Sequence, residues 1–223
     1  LVPQMAITEA AKDALHLDRL DPRQILELRI DAALIDSAKP ETTPSRTEAL
    51  FRSSLPEFLE AVAAPTAVPA GAAVAAFTGA LASALGVMAA RISRQPAVEH
   101  RLDEIAVRLS HLLEADGKAY NTFVAATRLP EADRGRPLAV SSALHVATEI
   151  PLEMAEQSAE AATLLAACSK GVKSRLRSDV KVGLMLAIAA AEASLHTARE
   201  NMKVQPNQQL RQALMKRAQE VSE

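Results

Sequence analysis

Hydrophobic positions return at helical spacing along most of the chain. Val74, Phe77, Leu81, Leu85, Met88 and Ile92 recur every three or four residues, and Gly71, Ala75, Gly79 and Ser83 recur every four on another edge of the same segment. Together they predict a central helix over about 70–92 whose small-residue edge lets a neighbouring helix approach more closely than Leu–Leu packing permits. Pro96 opens the next predicted helix, and Leu102, Ile105, Leu109, Leu112, Ala119 and Phe123 carry its apolar stripe until Leu129-Pro130. Helix resumes near Pro137 and runs toward Cys168, with Pro151 expected to break it into two helices in tandem. Further helices are predicted at 4–17, 22–35, 55–63, 178–203 and 207–222. No alternating β-branched run is bounded by turn residues, so the reading is all-α: a multi-helix bundle of long, Ala-rich, closely packed helices.

Composition sharpens this picture. Apolar residues make up 49% of the chain, yet only four Phe and one Tyr supply aromatic volume, so small side chains fill the interior. The polar Ser-Ala-Lys-Pro-Glu-Thr-Thr-Pro-Ser-Arg stretch reads as a linker. It divides the chain into a helical segment at 1–35, a linker at 36–54 and a helical domain at 55–223. With 25 basic and 27 acidic residues interspersed along the chain, no field for nucleic acid is evident. The stretch from Ala61 to Ala90 is uncharged but built from Ala and interrupted by Pro and Gly, which argues against a membrane span. The lone Cys168 gives no disulfide framework, and no secretory pattern is read at the N-terminus; both point to a reducing, cytoplasmic setting.

Asp116 stands out because it occupies an apolar position in the stripe 102, 105, 109, 112, 116, 119, 123. A carboxylate facing inward must find partners or shift its pKa, and such groups concentrate at active sites. Ser178-Asp179 opens a predicted helix, where a hydroxyl cap and a carboxylate also serve stability. Glu192 and His196 stand four apart and either pair or simply leave the core. The five histidines show no zinc spacing, and neither a Gly-rich phosphate loop nor a Gly-x-Ser-x-Gly elbow occurs, so no metal or cofactor is expected.

Several segments resemble the cyclodeaminase/cyclohydrolase family of folate one-carbon enzymes, which includes the C-terminal domain of formiminotransferase-cyclodeaminase. They are PTAVPAGAAVAAFTGALASALGVMAA ending at Ala90, LLEADGKAYNTFVAATRLP at 112–130, ATEIPLEMAE at 147–156 and SDVKVG at 178–183, in the family's order across about 55–203. The first 35 residues are similar to the end of a formiminotransferase domain. The resemblance implies a folate substrate, either 5-formiminotetrahydrofolate closed to 5,10-methenyltetrahydrofolate with release of ammonia, or the methenyl ring opened by water. It further implies Asp116 and Asp179 as catalytic acids and bases, and a substrate-binding set of Pro69, Ala70, Gly71, Ala72, Ala73, Tyr120, Ser178 and Asn201. A homodimer and a formiminotransferase domain or subunit are the implied partners. Where relatives carry Pro-Gly-Gly-Gly-Ser, this chain has Pro69-Ala70-Gly71-Ala72-Ala73. Lys173 and Thr197 replace two family asparagines. Those departures define a rival reading, a degenerate helical domain with a structural or dimerisation role.

Overall fold

The computed structural model describes residues 54–222, all within the unit spanning Thr43–Glu223. The expected helices at 4–17 and 22–35, and the linker before Ser54, lie outside the described residues. Helix α1 (Leu55–Ala63) has Pro56 in its first turn, and the Glu57 carboxylate accepts from the Ser54 backbone N–H at 2.6 Å. The ring of Phe58 of α1 packs tilted against that of Phe77 of α2 (Gly71–Ser93), centroids 4.9 Å apart. Arg94 ends α2 in the left-handed conformation at φ 60°, and Pro96 begins α3 (Pro96–Thr127) two residues later. Helix α4 (Arg136–Cys168) and a 3-10 turn at Ser174–Leu176 lead into α5 (Arg177–Lys203) and α6 (Gln208–Glu220). Asn207 caps α6, its Oδ1 accepting from the N–H groups of Gln209 and Leu210 at 3.0 and 3.1 Å.

Helices α2 to α5 form the core of the bundle, and the glycines of α2 set how closely they pack. A methyl group at Gly79 would lie 2.7 Å from Ser158 Oγ of α4, 2.9 Å from Leu109 of α3 and 3.4 Å from Ala190 of α5. At Gly86 it would meet Leu102 of α3 at 2.5 Å and Leu165 of α4 at 2.8 Å. From Gly79 to Gly86 the facing residue falls from 109 to 102 on α3 and rises from 158 to 165 on α4. Helix α2 is therefore antiparallel to α3 and parallel to α4. Gly183 of α5 sits against Ala82 and Leu85, so α5 is also antiparallel to α2.

The buried face of α2 is its small-residue side, including Ala72, Ala76, Gly79, Ala82, Ser83, Gly86 and Ala90. The larger series faces outward or sits at the margin: Val74, Leu81 and Met88 are 38, 48 and 37% exposed. Close backbone approach leaves no room for larger side chains between helices, so bulk comes from Leu102, Ile105, Leu109 and Leu112 of α3 and from Met154 and Leu165 of α4. By length and composition α2 and the Ser174–Lys203 stretch could each cross a bilayer; 56% of the apolar window of α2 is buried in the fold.

Pro151 does not divide α4, which runs unbroken from Arg136 to Cys168 with Pro151 buried inside it. Two Arg–Glu forks lace α3 to α4: Arg101 to Glu160 at 2.6 and 2.7 Å, and Arg108 to Glu153 at the same distances. Exposed pairs of this kind contribute about 0–1 kcal/mol each, so they tune alignment more than they hold the bundle together. Arg217 of α6 reaches Glu149 and Glu156 of α4, while Leu214 and Ala218 pack on Leu152, Ala155 and Leu195.

Candidate active site

Asp116 lies on the buried stripe of α3 between Leu112 and Ala119. The side chain keeps partial solvent contact, and among the described residues no hydrogen bond or ion pair reaches its carboxylate. Burial alone pushes its pKa up from 3.8 to about 6. The glycine contacts fix what surrounds it. Seven residues before Gly79, the same register sets Ala72 of α2 level with Asp116 of α3, Pro151 of α4 and Thr197 of α5. The inward carboxylate and the bend at the start of α2 thus share one end of the bundle.

That bend is built from Pro69 to Ala73. Pro69 is buried, and Ala70 adopts an extended backbone ahead of α2 with no side chain able to cap the helix. The first-turn N–H groups of α2, which have no partner within the helix, belong to this end. Gly71 is exposed, its φ is not positive and a methyl there would meet nothing within 4 Å, so the turn geometry does not require glycine at this position. Ala72 and Ala73 are 4 and 2% exposed, their methyls filling space that glycines would leave open. Tyr120, one turn beyond Asp116, is half-buried at the same end.

Asn201 has a structural task that the sequence reading did not identify. Proline lacks the N–H that would bond the carbonyl four residues earlier, and for Pro151 that carbonyl belongs to Ala147. The Asn201 side-chain Nδ2 donates to Ala147 O at 2.9 Å across the α4–α5 interface, taking the place of the missing donor. This bond explains why α4 continues through Pro151. The signal was present in the sequence, since a proline inside a helical pattern demands an outside donor, but only packing reveals which residue supplies it. Thr197 is half-buried, and its hydroxyl donates to Ala193 O of its own helix at 3.2 Å.

Ser178 and Asp179 are not brought to this end. Helix α5 begins at Arg177 behind the 3-10 turn, with Leu176 as its N-cap residue, so Ser178 lies inside the first turn and caps nothing. Ser178 is exposed and Asp179 half-buried. Gly183 against Ala82 and Leu85 places them beside the C-terminal third of α2, where the Lys173 N–H donates to Ser93 Oγ at 3.2 Å. At 1.5 Å per residue they stand more than about 20 Å from Asp116 within one subunit. Glu192 and His196 are both exposed, consistent with leaving the core. Among the described residues no group of three or more His, Cys, Asp or Glu side chains is positioned to hold a metal ion.

An open apolar groove of about 490 Å³ runs between the last turns of α3 and the first turns of α4, lined by residues that include Thr122, Leu129, Ser142 and Val146. On α3 it lies on a different face from Asp116, because Thr122 and Ala125 stand roughly 120° and 180° around the helix from it.

The formiminotransferase-cyclodeaminase family model matches residues 54–220. Formimidoyltransferase-cyclodeaminase of Gallus gallus is 24% identical over 236 residues, covering 91% of this chain and 43% of that protein. The Rattus norvegicus protein of the same name is 31% identical over 158 residues, covering 64% of this chain and 28% of its own length. The chain therefore spans less than half the length of these curated relatives. The crystal structure of formiminotetrahydrofolate cyclodeaminase from Thermotoga maritima superposes with a TM-score of 0.71 at 22% identity, over 77% of this chain and 89% of that one, and shares its fold. Because the matched segment takes in every helix described above, the chain belongs to the formiminotransferase-cyclodeaminase family.

Proposed function

We propose that this chain acts on a one-carbon tetrahydrofolate, as a formiminotetrahydrofolate cyclodeaminase or a methenyltetrahydrofolate cyclohydrolase. The observation that carries this reading is Asp116: an inward carboxylate without a partner among the described residues, titrating near 6, at the level of the α2 bend. A group with that pKa is partly protonated near neutrality, so it can both give and take a proton. In cyclodeamination, N10 of the folate attacks the carbon of the protonated formimino group, Asp116 takes the proton that N10 sheds and passes it to the formimino nitrogen, and the carbon–nitrogen bond to the departing ammonia breaks. Its carboxylate then faces the cationic methenyl carbon and stabilises it. The uncapped N–H groups at the start of α2 offer donors to the pterin. No metal or nucleotide enters this scheme.

The test is to follow methenyltetrahydrofolate absorbance with purified protein, in both the forming and the hydrolysing direction. Asp116→Asn is expected to lower turnover by about 100-fold or more with the helical CD signal intact. Full activity in that variant would remove Asp116 from the mechanism. The filled space at Ala72 and Ala73 favours a second reading, a helical domain that no longer turns folate over. No turnover by the unaltered protein, together with no folate-dependent rise in Tm, would establish that reading.

A homodimer through α2 and α5 fits the same proposal. Val74, Leu81 and Met88 of α2 and Val182, Met185 and Ile188 of α5 are all exposed on neighbouring antiparallel helices, an apolar face suited to a second copy. Ser178 lies on the α5 side of that face, four and seven residues before Val182 and Met185. A twofold axis perpendicular to the helices exchanges the two ends of the bundle, setting Ser178 and Asp179 of one subunit toward the α2 bend of the other. Residues 1–35, similar to the tail of a formiminotransferase domain, fit a chain that works beside such a domain.

A further inference from the structure

One stretch of α4 is gripped from three neighbouring helices, and it is the stretch that contains Pro151. From α3, Arg108 forks onto Glu153 at 2.6 and 2.7 Å. From α5, Asn201 Nδ2 donates to Ala147 O at 2.9 Å. From α6, one guanidinium serves two carboxylates: Arg217 Nη1 donates to Glu149 at 2.6 Å, while its Nε and Nη2 donate to Glu156 at 3.1 and 2.9 Å. Glu149 stands two residues before Pro151 and Glu156 five residues after it. Seven residues are about two turns, so both carboxylates lie on one face of α4 and the arginine ties the helix together across the proline.

A proline inside a helix tends to kink it, because the ladder is open there and the ring crowds the carbonyl four residues back. The two sides of Pro151 are anchored differently. Beyond it, Met154, Ala161 and Leu165 belong to the main core cluster. Around it, Leu152 and Ala155 join a second cluster with Leu195, Ala198 and Met202 of α5 and Leu214 and Ala218 of α6. Leu214 and Ala218, which flank Arg217, are 1 and 3% exposed, so α6 is seated firmly and delivers the guanidinium at a fixed height on α4. Single exposed ion pairs count for little, but an arginine forked onto one carboxylate and shared with a second is the geometry in which they count.

We propose that Arg217 is a positioning residue for the Asp116 site, splinting α4 across Pro151 so that the helix stays packed at the level where Asp116 stands on α3. The glycine register puts Pro151, Asp116 and Ala72 at one height, so a kink at Pro151 would shift α4 there and admit water beside the carboxylate. The hydrogen bonds of Arg217 go to Glu149 and Glu156, so it acts through α4 and not on the substrate. Asn201 closes the open ladder from one side, and Arg217 braces the same turn from another. The inference rests on the reading of Asp116 as the working acid, yet the splint is measurable on Asp116 itself with no folate present.

The experiment is a carbon NMR titration of the Asp116 carboxyl in the full chain, for the unaltered protein, Arg217→Gln, Pro151→Ala and the double variant, with kcat and KM measured alongside. Water reaching Asp116 in Arg217→Gln should lower its midpoint from about 6 to about 5 or less, roughly a ten-fold loss of proton affinity. Removing a positive charge by itself would raise the midpoint, so the sign separates repositioning from simple electrostatics. The same variant should lose about ten-fold or more in kcat, with KM changed less than about two-fold. Adding Pro151→Ala returns the backbone N–H and should recover most of both losses. A midpoint unchanged or raised in Arg217→Gln would overturn the proposal. So would a loss undiminished in the Pro151→Ala background, which would make Arg217 an anchor for α6 alone. If the midpoints behave as expected while the unaltered protein turns no folate over, the splint stands and only the folate reading falls. Should Arg217→Gln fail to fold, Arg217→Lys keeps the charge without the planar fork and should lower the midpoint part of the way; no change there would equally overturn the splint.

Discussion

Asp116 carries a conflict between stability and use. Its carboxyl titrates near 6 in the fold against an ordinary value of 3.8, so the folded state holds the proton more tightly than the unfolded chain does. The sign follows from linkage: as pH rises from about 4 through about 6 the fold loses stability, and above that the cost of a buried unpaired charge is fully present. A difference of that size corresponds to roughly 3 kcal/mol at most. Asp116→Asn should therefore raise the unfolding free energy at pH 7.5 by about 1–3 kcal/mol and change little near pH 4, as read by urea titration at the two pH values. A variant less stable at both would show that the carboxylate has a stabilising partner. Asn201 is the opposite case, a polar group that holds the fold. Asn201→Ala should cost about 1–3 kcal/mol by leaving Ala147 O without a donor. The cost should shrink in a Pro151→Ala background, where the backbone N–H returns, and an undiminished cost in that double-mutant cycle would refute the pairing.

Among the elements, α2 shows how composition decides packing distance. Its glycines are not equivalent. Gly86→Ala would drive a methyl within 2.5 Å of Leu102 and 2.8 Å of Leu165, both fully buried. Overpacking of about 1–3 kcal/mol should exceed the roughly 1 kcal/mol of helix propensity gained. Gly71→Ala meets open space and should be neutral or slightly stabilising. Thermal melts of the two variants should move in opposite directions; similar shifts would contradict the close approach at Gly86. The sequence pattern located α2 correctly because a helix of this length needs only its periodicity. The spacing alone could not show which series faces inward. Small residues are buried here because three helices converge on α2 and leave no volume for Leu or Met.

For the whole molecule, the bundle separates a carboxylate end at Asp116 from the end at 169–181 that carries Ser178 and Asp179. The exposed apolar face of α2 and α5 lies between them. If that face joins two copies, Met185→Glu should shift the protein to a monomer in sedimentation velocity. Mixing Asp116→Asn with Asp179→Asn subunits should then recover part of the lost activity through hybrid dimers that keep one intact site. A parent protein that is monomeric, or mixtures that stay inactive, would refute a shared site. Residues 112–130 and 147–156 mark the carboxylate end in the sequence itself, whereas the distance from Asp116 to Asp179 does not appear there. Two residues near helix starts or stripes look equivalent in a string, and the antiparallel course of α5 sends one of them to the far end.

What the sequence by itself determined is local: the α-helical class, the boundaries set by Pro96 and the Leu129-Pro130 stop, and the inward position of Asp116. These follow from periodicity, capping and proline stereochemistry, which act within a few residues. What only the tertiary structure decided is relational. It settled which face of α2 is buried, that α4 continues through Pro151 because Asn201 supplies the missing donor, and that Ser178 and Asp179 stand apart from Asp116. Each depends on groups that are distant in the chain and are brought together only when the helices pack.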